Sequence, residues 1–265
     1  MKAMFITGGA RGIGFAIAQR FHSEGWAVTL ADINEDQLAQ AVRTLGNERV
    51  MSLALDVTDY EAFHAAIAQH QNQWGRLDLL VNNAGIGVIA RFEKNSPEAH
   101  SRMIDINYGG VVNGVHAAFD ALKETAGREG EAQIMSLCSA SSCHGIPEHA
   151  VYGGTKAAVK NFTEALSIEF REYGIRVYDL VPEYVATPMV MDIEDAPGTV
   201  AALGVNLQAT DVAETAWRAH KRNGIHFPVT NQFAVLMKLI AIFPGLARKV
   251  FGGAFYKKYP VGRGA

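Results

Sequence analysis

Short apolar segments rich in β-branched residues alternate with helical patterns along about the first 230 residues, and this alternation constrains the fold more than any other feature. Seven segments are predicted strands, at residues 2–7, 27–32, 50–56, 77–82, 133–139, 176–181 and 225–229. Several are almost continuously apolar, which is typical of strands covered on both faces. The succession of strand, helix and strand predicts right-handed crossovers, and therefore an α/β fold with one doubly wound, seven-stranded parallel sheet.

The composition fits a single domain. The chain has 265 residues, of which 49% are hydrophobic, and it contains no Pro/Ser-rich linker, repeat or low-complexity tract. We therefore expect one domain over residues 1–265, with its core in residues 1–230. A net charge of −3 with 19% charged residues argues against a nucleic-acid partner. The two cysteines, Cys138 and Cys143, are too few to staple such a domain, which favours a reducing, cytoplasmic location.

Residues 231–265 depart from the alternating pattern, because apolar residues and Lys or Arg are mixed there. The longest apolar stretch, residues 233–243, is interrupted by Lys238 and is shorter than the roughly 20 residues of a membrane-spanning helix. We expect neither an integral membrane segment nor a secretory signal. The segment is interpreted as a C-terminal helical tail packed on the core, with two alternatives: a lid over a hydrophobic substrate, or a surface that touches membranes.

A glycine-rich turn lies between the first predicted strand and the first predicted helix. Glycines let the backbone turn sharply and approach a pyrophosphate, while the helix N-terminus supplies free N–H groups and a partial positive charge. Its position in the first strand–helix unit predicts a Rossmann-type dinucleotide-binding domain. The candidate cofactor-binding residues of this turn are Thr7, Gly8, Arg11, Gly12, Ile13 and Gly14.

Asp32, at the end of the second predicted strand, bears on the choice of cofactor. A carboxylate at this point can accept hydrogen bonds from both hydroxyls of an adenosine ribose and would repel a 2′-phosphate. Arg11 points the other way, since a guanidinium in the glycine turn could hold that phosphate. We give Asp32 more weight, so the sequence favours NAD over NADP.

Polar and small residues also follow the third and fourth predicted strands. Adenine could lie against the segment after the third strand, and the amides after the fourth could cap neighbouring strands or line the cofactor site, although each segment alone could be a simple turn. The residues concerned are Asp56 and Val57, and then Asn82, Asn83, Ala84 and Gly85.

Ser139, Tyr152 and Lys156 are the candidate reacting groups. Tyr152 and Lys156 are four residues apart at the start of a helical pattern, so their side chains share one face. A neighbouring ammonium favours the phenolate and is expected to lower the tyrosine pKa from its usual value of about 10. Ser139 ends the fifth predicted strand and is therefore expected at the same sheet edge as the glycine turn.

Together these motifs resemble the classical short-chain dehydrogenase/reductase family over residues 2–229. The resemblance implies a hydride transfer between a nicotinamide cofactor and a substrate carbon, in which the protein supplies position and electrostatics. The family's catalytic asparagine falls on Asn107. The other matches are Thr-Gly-x-x-x-Gly-x-Gly at Thr7, Gly8, Gly12 and Gly14, Asn-Asn-Ala-Gly at Asn82 to Gly85, and Ser with Tyr-x-x-x-Lys at Ser139, Tyr152 and Lys156.

The resemblance also implies a role for each reacting residue. Tyr152 would be the general acid/base, and Ser139 would orient the substrate oxygen. Lys156 would lower the Tyr152 pKa and bind the nicotinamide ribose. Asn107 would hold a water that connects Lys156 to solvent.

One segment departs from the family pattern Pro-Gly-x-Val-x-Thr. Pro182, Val185 and Thr187 match it, at positions that contact the nicotinamide amide and the phosphates in the family. Glu183 stands in place of the glycine. Two interpretations remain open: Glu183 points to solvent, or it faces the pocket and favours a substrate amine or hydroxyl.

His144 and His149 lie close to Cys143 in the loop before Tyr152, but no Cys-x-x-Cys or His-x-x-x-His spacing is present, so we predict no metal site. We expect these histidines to line the substrate entrance together with Ser141, Ser142 and Ile146.

The leading hypothesis is an NAD(P)-dependent oxidoreductase acting on a secondary alcohol or ketone with a hydrophobic body. The alternatives are a non-catalytic dinucleotide-binding regulator or scaffold, and an epimerase or dehydratase on the same scaffold. The resemblance implies a homodimer or homotetramer that pairs the helices near Asn107 and after Tyr152. The apolar stripe from Val159 to Phe170 is compatible with this, although a monomer core explains it equally well.

Overall fold

A computed structural model describes residues 1–187, 191 and 204–258. Its centre is one seven-stranded sheet in which every pair of neighbouring strands is parallel, in the order β3-β2-β1-β4-β5-β6-β7. The α/β prediction and the parallel sheet are therefore confirmed. The strands are β1 (Ala3–Thr7), β2 (Ala27–Asp32), β3 (Val50–Ala54), β4 (Leu79–Asn82), β5 (Ala132–Leu137), β6 (Ile175–Val181) and β7 (His226–Pro228).

Helices connect the strands and cover both faces of the sheet. Asn34, Asp59 and Ser96 each accept a backbone N–H at a helix N-terminus, as short polar side chains at that position commonly do. The helices are α1 (Gly12–Ser23), α2 (Glu35–Leu45), α3 (Tyr60–Trp74), α4 (Pro97–Ile104), α5 (Gly110–Glu129), α6 (Ala150–Glu169), α7 (Ala209–Ala219), α8 (Asn231–Ile242) and α9 (Pro244–Lys258).

The strand order places a topological switch between β1 and β4. From β1 the chain continues outward to β2 and β3, and it then returns to β4 on the other side. The loops that leave the carboxyl ends of β1 and β4 therefore diverge and open a crevice, which is where ligands bind in sheets of this kind.

The hydrophobic core has a layer on each side of the sheet. Phe21 and Trp217 meet edge to face on one side, with ring centroids 5.1 Å apart. On the other side Phe63 stacks on Phe5 at 5.8 Å. Val159 and Leu166 are both buried, so the apolar stripe of α6 faces the core of this chain.

Strands β3 and β5 each end two residues earlier than predicted, because a side chain bonds to the backbone that follows it. β3 ends at Ala54, and the Asp56 carboxylate instead accepts hydrogen bonds from the backbone N–H and the hydroxyl of Thr58. β5 ends at Leu137, and Ser139 begins a short 3₁₀ turn in which its hydroxyl oxygen accepts the Ser141 N–H. Such local bonds compete with the ladder of a sheet.

The tail forms two helices, α8 and α9. Phe233 of α8 packs against Cys138 and Val181, so the start of the tail contacts the core. Its last residues, 259–265, lie outside the described part of the chain. Among the described residues, none of the helices has the length and apolarity needed to span a bilayer.

A polar cluster joins β6, β7 and α6. His226 Nδ1 lies 3.0 Å from both carboxylate oxygens of the buried Asp179, and His226 Nε2 lies 3.0 Å from Glu164 Oε1. Lys160 Nζ binds Glu164 at 2.7 Å. Burial is the largest single effect and lowers the pKa of His226, but the hydrogen bonds with Asp179 and Glu164 and the charge of Asp179 together outweigh it, so the pKa is raised.

We expect this histidine to make the stability of the fold depend on pH. Because the pKa of His226 is higher in the folded chain, its contribution to stability is fully present below the ordinary histidine pKa of about 6.5. That contribution is lost as the pH rises through the raised pKa. Urea unfolding from about pH 5.5 to about pH 8.5 measures this, and His226→Gln should remove that part of the decline. Identical pH slopes in the two proteins would contradict the expectation.

Candidate active site

A cleft of about 1670 Å³ runs along the carboxyl edge of the sheet. It exceeds the roughly 300–1,000 Å³ of pockets for one small ligand, so there is room for a dinucleotide and a substrate together. Of the residues predicted from the sequence, the following line it: Gly8, Arg11, Gly12, Ile13, Gly14, Asp32, Asp56, Val57, Asn83, Ala84, Gly85, Ser139, Tyr152, Lys156, Pro182, Val185 and Thr187.

The glycine turn forms one end of the cleft. Gly8 and Gly12 have φ values of +61° and +57°, which other residues adopt only with strain. A Cβ on Gly14 would lie 2.1 Å from the carbonyl oxygen of Gly8, so the first turn of α1 packs directly on the end of β1. The N-terminus of α1 has no side-chain cap. Its free N–H groups therefore suit an anionic ligand such as a pyrophosphate.

Asp32 lies beside this turn. Its Oδ2 accepts the backbone N–H of Ala10 and its Oδ1 that of Asn34, both at 3.2 Å. These two bonds fix the carboxylate next to the glycine turn at the carboxyl end of β2. Each oxygen keeps acceptor capacity for a ligand hydroxyl.

Thr7 and Asn83 tie β1 to β4 beneath the cleft. The Thr7 hydroxyl oxygen accepts the N–H groups of Asn83 and Ala84, at 3.0 and 3.1 Å. Asn83 Nδ2 donates to the carbonyls of Thr7 and Gly8, both at 2.9 Å. Thr7 is buried and does not line the cleft, so it shapes the glycine turn from below.

Asn107 is also buried away from the cleft surface. It lies in a π-turn, Asp105–Gly109, between α4 and α5. Its Oδ1 accepts the Ile86 N–H at 2.8 Å, and its Nδ2 donates to the Ile86 carbonyl at 2.9 Å and to Thr155 Oγ1 at 3.2 Å. The side chain thus joins the loop after β4 to α6.

Ser139 and Tyr152 meet at the other end of the cleft. Tyr152 lies in the first turn of α6, and its side chain is half-buried. Burial raises the pKa of Tyr152 to about 12, while a hydrogen bond with the Ser139 side chain acts in the opposite direction. Ser141 Oγ donates to Ser139 Oγ at 3.1 Å, which helps to fix the position of the serine hydroxyl.

Lys156 is placed on the same face of α6 as Tyr152, as the spacing predicts. Its Nζ lies 5.8 Å from the centre of the Tyr152 ring and donates to the Leu137 carbonyl at 2.7 Å. Burial lowers the pKa of Lys156. The expectation of a lowered pKa for Tyr152 is not met in this structure, because burial of the phenol raises it.

Tyr184 and His149 form a hydrogen-bonded pair in the cleft. The sequence predicts His149 at the substrate entrance but carries no signal for Tyr184. Both line the cleft, as do His144, Ser141 and Ile146, while Ser142 does not. Burial lowers the pKa of His149, and its Nδ1 lies 3.0 Å from the Pro147 carbonyl, so Nδ1 carries the proton. Its Nε2 therefore accepts the hydrogen bond from the Tyr184 hydroxyl at 3.1 Å.

Glu183 lines the cleft, and one of its carboxylate oxygens is shielded from solvent, so the side chain does not simply point to solvent. Its Oε1 accepts a hydrogen bond from the Thr230 hydroxyl at 2.6 Å. Helix α8, which begins just after Thr230, adds four apolar side chains to the same wall: Phe233, Leu236, Leu239 and Ile240.

Comparison with known proteins agrees with this geometry. The family model for short chain dehydrogenases matches residues 2–198. The chain is 33% identical over 204 residues to a cyclopentanol dehydrogenase from Comamonas sp.. The aligned region covers 76% of this chain and 80% of that protein.

Solved structures show the same fold. A 3-ketoacyl-(acyl-carrier-protein) reductase from Brucella melitensis, complexed with NADH, superposes with a TM-score of 0.79 at 28% identity and covers 86% of this chain and 96% of that one. An alcohol dehydrogenase from Thermococcus sibiricus, complexed with 5-hydroxy-NADP, gives 0.75 at 28% identity, with 86% and 95% covered. With the family model matching most of its length, the chain belongs to the short-chain dehydrogenase family and is an oxidoreductase.

Proposed function

We propose that the protein is an NAD-dependent dehydrogenase of secondary alcohols with a hydrophobic body, and that Tyr152 is its general acid/base. The observation that carries the proposal is that Ser139, Tyr152 and Lys156 line the same cleft as the glycine turn. A proton carrier at one end and an anion-binding turn at the other are what a dehydrogenase of this family requires.

Each side chain has a task that follows from its position. Ser139 donates a hydrogen bond to the substrate oxygen and holds it beside the Tyr152 hydroxyl. Tyr152 takes the hydroxyl proton in oxidation and returns it in reduction. Lys156, buried next to the ring, places a positive charge near the phenolate that forms and would hold the ribose of a bound cofactor. The bound nicotinamide supplies the hydride chemistry.

The residues at the glycine end support NAD. The free N–H groups of α1 suit a pyrophosphate, and Gly12 has no Cβ to obstruct its approach, while Gly8 and Gly14 let the turn pack closely. Asp32 is fixed by two backbone N–H groups where it can accept from ribose hydroxyls, and its charge disfavours a 2′-phosphate. One of the similar solved structures contains NADH and the other a derivative of NADP, so the choice of NAD over NADP rests on Asp32.

The wall that α8 adds to the cleft supports a hydrophobic substrate. Four apolar side chains of this helix line the cleft. The cyclopentanol dehydrogenase relative is named for a cyclic secondary alcohol, a substrate class that fits such a wall. We propose that α8 acts as a lid over the apolar part of the substrate.

The proposal is tested by adding NAD or NADP and a panel of cyclic and aliphatic secondary alcohols, and following the absorbance of the reduced nicotinamide. We expect turnover with NAD and a kcat/KM for NADP lower by about 100-fold, the cost of placing a phosphate beside a carboxylate. Cofactor binding without turnover of any alcohol would instead indicate the non-catalytic regulator.

The pH dependence of alcohol oxidation is a separate expectation. Oxidation requires the Tyr152 phenolate as base, and burial raises its pKa to about 12, so the fraction of phenolate grows throughout the neutral and mildly alkaline range. We expect kcat/KM for oxidation to rise by up to about tenfold per pH unit between about pH 7 and pH 9. Initial rates in buffers of constant ionic strength measure the slope. A flat profile over this range would contradict a raised pKa for Tyr152, because it would place the pKa of the base below about 7.

We also propose a homo-oligomer and a cytoplasmic location. Ile104 of α4 and Ile168 of α6 are exposed apolar residues on the helices expected to pair. Light scattering after gel filtration gives the number of subunits.

Both cysteines are free thiols, which suits a reducing compartment.

A further inference from the structure

Glu183 brings a charge into the substrate end of the cleft, and the proposed mechanism does not use it. It lies two residues beyond the end of β6. Pro182, just before it, accepts the N–H of Ala140 at 2.8 Å through its carbonyl. Ala140 follows Ser139 in the chain, so the backbone of Glu183 is held next to the segment that carries the reacting serine.

One carboxylate oxygen of Glu183 is engaged by the start of α8. The Phe233 N–H donates to Thr230 Oγ1 at 3.0 Å, and the Thr230 hydroxyl donates to Glu183 Oε1 at 2.6 Å. The carboxylate therefore stands at the N-terminus of α8, where the helix dipole favours a negative charge. This chain of hydrogen bonds fixes the orientation of the carboxylate.

The other oxygen has no donor. Glu183 Oε2 is shielded from solvent and has no hydrogen-bond partner in the described part of the chain. A buried carboxylate oxygen without a donor is unfavourable, because it has lost its hydration and gained nothing in return. A group that brings a donor to this oxygen would recover that loss.

The surroundings of Glu183 limit what that group can belong to. Phe233, Leu236 and Ile240 of α8 line the same cleft as Glu183 and Tyr152. A ligand held between these residues needs an apolar body. To reach Glu183 as well as Tyr152, it needs one polar group at the reacting carbon and a second one elsewhere.

We propose that Glu183 Oε2 binds a second hydrogen-bond donor of the substrate, a hydroxyl or a protonated amine, at a distance from the reacting carbinol. The inference rests on the proposed function, which it deepens: the substrates are hydrophobic secondary alcohols that carry another donor group. Glu183 sets specificity and takes no part in the proton transfer.

The test compares matched substrates in wild type and in Glu183→Gln. The substrates are cyclohexanol, the cyclohexanediol whose hydroxyls lie on opposite ring carbons, and the amino alcohol with an amine in place of the second hydroxyl. Wild type should prefer at least one donor-bearing alcohol over cyclohexanol by about 10-fold or more in kcat/KM, the effect of a hydrogen bond to a charged group. The preference should lie mainly in KM, because the second group is remote from the reacting carbon.

Glu183→Gln keeps the shape of the side chain and can still accept from Thr230, but it presents an amide N–H₂ or a neutral oxygen where the second carboxylate oxygen was. We expect the preference to fall to about twofold or less, with cyclohexanol turnover unchanged. A preference for the amine over the diol that disappears in Glu183→Gln identifies a cationic group, and a preference for the diol identifies a hydroxyl. Glu98→Gln, a carboxylate change on the rim formed by α4, should leave the preference intact.

The possible results distinguish the role of Glu183 from the proposed dehydrogenase activity. Equal kcat/KM for all three alcohols in wild type, or a preference that survives Glu183→Gln, overturns the role of Glu183 and leaves the dehydrogenase standing. Equal losses on all three alcohols in Glu183→Gln indicate a purely structural role and also overturn it; thermal unfolding shows whether that variant is folded. Absence of turnover in a folded wild type that binds NADH overturns both.

Discussion

Replacing Tyr152 by Phe is expected to lower kcat for alcohol oxidation by about 10³-fold, because the substitution removes the proton acceptor and leaves the cleft otherwise intact. Tyr152 lines the cleft and is only half-buried, so the loss of its hydroxyl leaves no large cavity. The fold and the affinity for NADH should change little, because the glycine turn and Asp32 bind the other end of the cofactor. Steady-state rates with NAD, NADH fluorescence titration and thermal unfolding measure the three properties.

Tyr173→Phe is the matched control. Tyr173 lies in the 3₁₀ turn after α6, outside the residues that line the cleft. The same loss of one hydroxyl there should leave kcat unchanged. If Tyr152→Phe kept most of the wild-type kcat, Tyr152 would not be the general acid/base, and another group would have to carry the proton.

Gly14→Ala is expected to have the second large effect, on both binding and stability. A Cβ at this position would lie 2.1 Å from the Gly8 carbonyl oxygen and 2.4 Å from Asn83 Nδ2. The backbone carbonyl cannot rotate aside, so α1 must move away from β1. We expect a loss of about 3 kcal/mol in the free energy of unfolding and of about 100-fold in NADH affinity. Urea unfolding and fluorescence titration provide the two values.

Gly127→Ala separates this steric effect from the general effect of the substitution. Gly127 lies near the exposed end of α5, and a Cβ there would meet no atom within 4 Å. Because alanine favours a helix over glycine, this variant should be stabilised by about 0.5–1 kcal/mol. If both variants behaved alike, the packing of Gly14 on Gly8 would have no special importance.

The sequence predicted the sheet and most of the cleft for a clear physical reason. Strands buried on both faces are continuously apolar, and the carboxyl ends of parallel strands share one edge. This logic places Asp32, Ser139 and the glycine turn together without any coordinates. It also placed Lys156 on the face of Tyr152, since the helical period fixes that relation.

The remaining features depend on contacts that no local pattern encodes. The direction of Lys156 Nζ is set by the Leu137 carbonyl, on a strand 19 residues away in the chain. The bond between Glu183 and Thr230 spans 47 residues. The ends of β3 and β5 differ from the prediction because Asp56 and Ser139 accept hydrogen bonds from backbone N–H groups two residues later. Such local bonds differ little in free energy from the strand pairing that they replace. Pairing of this kind appears only once the chain is folded.

The bonds of Asn107 have a consequence for how the cleft tolerates change. One buried amide holds both the N–H and the C=O of Ile86 and also reaches Thr155, three residues from Tyr152. The spacing between the β4 loop and the helix that carries the proton donor is thus dictated by a single side chain. A substitution that straightens the π-turn is therefore expected to move the β4 loop and the start of α6 together.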